Sequence, residues 1–172
     1  ELANLKLKII STLNRMSQNI PEETIPIQSE DLHYQVARIY GDLGEKESMR
    51  KILDQLISRT DGRVLNRIEY ANTIYKELDD FNEATSILEE MRIDYLGIES
   101  MLKTQGFNKK TLQQSQWKKW QEAYPEIVSS LVFMYRENNK NQDAELILTE
   151  WVSRNPSDNN AKKILDEVRS GG

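Results

Sequence analysis

The stretch that decides the fold is PEIVSSLVFMYRENNKNQDAELILTEWVSRNPSD, residues 125–158. Pro125 suits the first turn of a helix, where its missing N–H costs nothing. Val128, Leu131, Val132 and Tyr135 follow at spacings of three and four, which line one helical face. Asn138 to Asn141 reads as a turn and Ala144 to Val152 as a second helix. Asn155-Pro156-Ser157-Asp158 is a stop followed at once by a new cap. Two helices joined by so short a turn lie antiparallel, so this stretch is one helical hairpin.

Outward from it, the same pattern of apolar spacing fills the chain, and no alternating β-branched run suggests a strand. Leu2, Leu5, Ile9, Leu13 and Met16 form a first stripe. Pro21 and Pro26 then hold Ser17 to Ser29 extended. Ser29 or Asp31 is a candidate cap for a helix carrying Val36, Ile39 and Tyr40, which Gly44 ends. Met49, Leu53 and Leu56 mark the next helix, stopped at Asp61-Gly62. Val64 to Leu78 and Ala84 to about Lys103 form a second pair about the turn Asp79-Asp80. Asn108 or Thr111 caps a helix with Trp117, Trp120 and Tyr124, ahead of the helix expected from Pro125. Ile164, Leu165 and Val168 give a last helix. The expectation is an all-α chain of about nine helices.

Three hairpins share one internal register. A tyrosine is followed nine residues later by a small or apolar residue, then by apolar residues four and seven further on. The sets are Tyr40, Met49, Leu53, Leu56; Tyr75, Ala84, Leu88, Met91; and Tyr135, Ala144, Leu148, Trp151. Tyr40 to Tyr75 spans 35 residues, and Tyr75 to Tyr135 spans 60, so an insertion separates the second hairpin from the third.

These residues resemble the tetratricopeptide repeat family over roughly 30–63, 65–98 and 125–158, with a unit length near 34 residues. Gly44 matches the family's turn glycine, while Asp79 and Asn139 occupy its place in the other units; no unit has the family's early tryptophan. The resemblance implies antiparallel hairpins stacked as a short right-handed solenoid. Its parts would be an N-terminal helix and proline-containing lead (1–29), two helix pairs (30–98), a helical insertion (99–124), and a third pair with a capping helix (125–172). Ile20-Pro21 through Arg59, with its proline-bearing lead and Tyr-x-x-x-Gly turn, also resembles the soluble helical tails of some bacterial multi-span membrane proteins of glycosyltransferase type. The chain opens on Glu1 without a methionine, as an excised piece of a longer protein or a processed mature protein would.

Composition narrows the function. There are 23 basic and 28 acidic side chains, a net charge of −5, where a general nucleic-acid binder presents a basic field. The chain has no cysteine, which excludes thiol catalysis and disulfides and is shared by cytosolic and periplasmic chains alike. No apolar run approaches the roughly 18 residues of a membrane span. His33, with Glu30 three residues before it, is half of a Glu-x-x-His pattern that needs a second copy to hold a metal, so no metal or other cofactor is expected. The acidic pairs Glu22-Glu23, Asp79-Asp80 and Glu89-Glu90 are sequence neighbours pointing apart on a helix, not carboxylates facing across a cleft. Nothing nominates a catalytic residue. Phe107 to Trp120 holds Lys109, Lys110, Lys118 and Lys119 with no acid, a basic-aromatic patch that would suit a nucleic acid or an anionic surface, but Trp117, Trp120 and Tyr124 are spaced as a buried stripe, leaving the lysines to solvent.

On the family's pattern the first helices of successive units line an inner surface. It would carry Tyr34 and Arg38 (with Asp42), then Asn66, Glu69 and Thr73 (with Lys76), then Ser129, Phe133 and Arg136. Tyr34 and Arg38 stand where the family's carboxylate clamp has lysine and asparagine, so that clamp is missing. The resemblance therefore implies a non-enzymatic interaction or scaffold module that holds a peptide or neighbouring domain. The alternative is an accessory domain of a larger membrane-attached, carbohydrate-modifying enzyme with its catalytic residues elsewhere.

Overall fold

The computed structural model describes residues 27–59, 64–105 and 114–171, and every regular element among them is helical. The chain divides into two compact units, Glu1–Gly62 and Arg63–Gly172. The stripe from Leu2 to Met16, the Pro21 and Pro26 lead, the stop at Asp61-Gly62 and the caps at Asn108 and Thr111 lie outside the described residues.

In the first unit α1 (Ile27–Asp42) packs on α2 (Lys46–Arg59). Ser29 and Asp31, expected as caps, stand inside α1, which already begins at Ile27. At the turn Gly44 takes φ 74°, a left-handed conformation that suits glycine. The Glu45 N–H donates to the Tyr40 carbonyl at 2.9 Å and the Gly44 N–H to the Gly41 carbonyl at 2.8 Å. This crossed pair closes a Schellman helix end. Val36, Ala37, Met49, Leu53 and Leu56 are buried.

The second unit runs α3 (Val64–Thr73), a π turn (Ile74–Leu78), α4 (Phe81–Gln105), α5 (Gln114–Glu137), α6 (Asn141–Arg154) and α7 (Asn159–Arg169). Each helix from α3 to α7 packs on the next, and α3 also lies along α5. The α5–α6 turn repeats the Schellman pattern. Lys140 N–H donates to the Tyr135 carbonyl at 2.8 Å and Asn139 N–H to the Arg136 carbonyl at 3.0 Å. Asn139 has φ 56° and Asp79 has φ 58°. The left-handed residue thus falls four places after the tyrosine in all three hairpins. Asparagine and aspartate are the non-glycine residues that visit this region most readily.

The packing register also holds hairpin by hairpin. Nine places after the tyrosine, Met49, Ala84 and Ala144 are each 0% exposed. Four further on, Leu53 and Leu88 are 0% and Leu148 is 3% exposed. The next position holds buried Leu56 and Met91, but Trp151 there is only half-buried.

Two boundaries differ from expectation. The helices expected on either side of Pro125 are one, α5, with the proline inside it. A proline in a helix interior costs about 3 kcal/mol. That cost is local, whereas the buried stripe of Trp117, Tyr124, Ile127, Val128 and Leu131 keeps its phase straight through it. A break would turn one half of that stripe out of the core. With the first expected helix outside the described residues, seven α-helices stand where about nine were expected. Second, the stretch expected as an insertion takes the form of longer α4 and α5, which extend the pair towards residues 105 and 114. Tyr95 of α4 stacks on Tyr124 and Trp117 of α5, with ring centroids 3.8 and 5.1 Å apart. Trp117 and Tyr124 are buried, Trp120 is half-buried, and Lys118 and Lys119 face solvent.

Candidate functional site

The eight residues expected to form a binding surface fall on both units. Tyr34 and Arg38 lie on α1, where Arg38 is exposed but Tyr34 is 7% exposed and thus a core residue with little side chain to offer. Asn66, Glu69 and Thr73 share one face of α3 and are half-buried, with the Thr73 hydroxyl donating to the Glu69 carbonyl at 2.8 Å. Ser129, Phe133 and Arg136 share one face of α5.

Those last three line a groove of about 580 Å³ within the second unit. One wall is α5. The other is the start of α7, contributing Asn160, Ala161 and Ile164. Between them Val128, Val132 and Leu148 supply an apolar floor of buried side chains. Phe133 stands at the rim, 50% exposed, with its ring edge-on to Tyr75 at 6.1 Å. Arg136 reaches across to Glu167 of α7 at 3.6 Å at that end.

The opposite end is built around Asp158. Its carboxylate caps α7 by accepting from the Ala161 N–H at 2.9 Å, and accepts from the Trp151 indole N–H at 2.9 Å. The Ala161 amide, then the indole, hold this carboxyl below the usual carboxylate range. Trp151 in turn packs against Tyr124 with ring centroids 5.7 Å apart, which sets this end of the groove beside Pro125.

A second polar cluster joins α4, α5 and α6. The Tyr135 hydroxyl donates to Glu89 at 3.0 Å, and Arg92 bridges Glu89 at 2.8 Å and Glu150 at 2.5 Å. Arg154 then bridges Glu150 at 3.3 Å and Glu99 at 2.6 Å. Burial raises the pKa of Tyr124 and Tyr135, and the carboxylates of Glu150 and Glu89 raise them further. Burial would raise the Glu99 pKa, but hydrogen bonds from Arg154 and Lys103 outweigh it and hold Glu99 low. Every charge here has a partner of opposite sign, so the cluster stitches helices together and leaves no group aimed at a ligand. Among the described residues no group of three or more His, Asp or Glu could hold a metal ion, and no helix is long and apolar enough to cross a membrane.

Of the residues named from the sequence, Ser129, Phe133 and Arg136 lie along the α5 wall of this groove, and none was named on the α7 wall. Comparison with protein-family models, curated proteins and solved structures finds no match to this chain.

Proposed function

We propose that this chain is a non-enzymatic interaction module of tetratricopeptide-like hairpins, stacked as a short right-handed solenoid, that holds a peptide in the groove between α5 and α7. The observation that carries the reading is the half-exposed Phe133 above an apolar floor. An apolar cleft with a few polar groups at its rim is the usual form of a recognition site, and aromatic and arginine side chains are the commonest anchors of an interface. The helix order supports the solenoid, because α3, α5 and α7 are the first helices of successive pairs and α3 lies along α5.

The test is capture of a partner by the wild-type chain and by the double variant Phe133→Ala, Arg136→Ala. Losing the edge-on contact with Tyr75 costs about 0.5–1.5 kcal/mol, and the exposed Arg136–Glu167 pair contributes at most about 1 kcal/mol. The variant therefore stays folded. Lost capture with helicity retained supports the groove. Capture that survives the double variant but fails on Lys118→Glu moves the site to the α4–α5 extension and defeats the proposal.

A further inference from the structure

The groove is not uniform along its length, and its charges specify what fits. Arg136 is the one cation among its described lining residues, and it is engaged by Glu167 at 3.6 Å. Lys163 also reaches Glu167, at 3.9 Å, and Glu137 stands beside Arg136. Two cations and two carboxylates leave that end close to neutral. At the Pro125 end the lining carries Asp158 and no cation. Glu126 adds a second carboxylate on the exposed face of α5, one turn before Ser129. Glu126 forms no ion pair among the described residues, and the donors that meet the Asp158 carboxylate are neutral: the Ala161 and Asn160 amides and the Trp151 indole. The same end holds the half-buried Trp151 ring. Two carboxylates with no cationic partner among the described residues, beside an indole face, are the chemistry that receives a cationic side chain, through charge and through attraction to the ring. Midway along α5, Phe133, Val132 and the facing Ile164 offer an apolar contact.

We infer that the groove takes a peptide segment in which a lysine or arginine neighbours an apolar residue, the cation at the Trp151–Asp158 end and the apolar side chain against Phe133. This rests on the groove being a peptide site, as proposed above, and adds the chemistry of its occupant.

The experiment is selection of a display library of random peptides against the full chain, with counter-selection against Phe133→Ala. Selected peptides are then titrated against wild type and Glu126→Lys at low and high salt. Glu126 is exposed, so its reversal leaves the fold intact while replacing attraction by repulsion. The inference expects enrichment of Lys or Arg beside an apolar residue, loss of binding on Phe133→Ala, and weakening by roughly fivefold or more on Glu126→Lys at low salt. Salt should shrink the Glu126→Lys effect, since the contact is at an exposed rim. Phe133-dependent peptides with no basic residue, or indifferent to Glu126→Lys, would overturn the inference and leave the peptide site standing. A library that yields no binder, or only binders that ignore Phe133→Ala, would overturn both.

Discussion

Met49 and Ala144 occupy the same place in two hairpins and are each 0% exposed, yet differ by three heavy atoms. The reciprocal changes Ala144→Met and Met49→Ala therefore test whether the register or only general apolarity sets these cores. Alanine and methionine are both good helix formers, so helix propensity nearly cancels and packing is left to decide the outcome. In α6, Ala144 sits with Ile147 and Leu148 in the seam against α5, where the methyl group is already covered. Three further heavy atoms must displace a neighbour, an overpacking cost of about 1–3 kcal/mol. In α2, removing the same atoms from Met49 leaves a cavity, at about 2–5 kcal/mol.

Thermal unfolding followed by far-ultraviolet circular dichroism reads both changes. At about 2–4 °C per kcal/mol for a chain of this size, Ala144→Met should lower the midpoint by roughly 2–12 °C. Gln142→Met, exposed on the same helix, is the control and should move it little. Should Ala144→Met melt with the wild type, or Gln142→Met prove the worse of the two, α5 and α6 are not in close contact at Ala144 and the shared register is wrong.

Asp158→Ala removes the cap of α7 and the acceptor of the Trp151 indole together, and should cost about 0.5–2 kcal/mol for the cap alone, measured by urea denaturation. Because Asp158 has its folded pKa depressed, its contribution is present above the unfolded carboxylate pKa and lost as pH falls through the folded value. Acid titration of wild type should thus lose stability that Asp158→Ala never had. Tyr124 and Tyr135 have pKa values raised from the ordinary 10.0, so the folded state favours their neutral forms. Stability should therefore be full below pH 10.0 and fall above it, with tyrosinate absorbance from these two appearing only as the chain unfolds. Asn139→Gly should be neutral or stabilising at φ 56°, whereas Asn139→Val should cost roughly 1–2 kcal/mol, since a β-branched residue resists the left-handed region.

The hairpin cores were legible because their determinants are local and periodic. Positions nine, thirteen and sixteen after a tyrosine fix which side chains share a seam, and Met49, Ala84, Leu53, Leu88 and Leu148 all lie in it. The turns were legible for the same reason: Gly44, Asp79 and Asn139 are the residue types that accept positive φ, at one fixed offset. What failed was whatever a local rule decides against a distant contact. Pro125 is a helix start by local chemistry, but the seam it would interrupt runs from Trp117 to Leu131. Tyr34 lies on the face the family pattern assigns to partners, yet is buried, which no spacing on α1 alone reveals.

The candidate site was half legible for a related reason. Its α5 wall follows from the register, but the groove exists because α7 does not close against α5 along its whole length. Trp151 stands where the other hairpins have Leu56 and Met91, and its larger ring is only half covered. The ring packs on Tyr124 on one side, while its N–H holds the residue that caps α7 on the other. The start of α7 is thereby tied to the rim of the indole. Further along, Arg136 of α5 pairs with Glu167 of α7 at 3.6 Å. An apolar residue smaller than tryptophan at position 151 would sever the tie to Asp158 and free the start of α7 to settle on the floor.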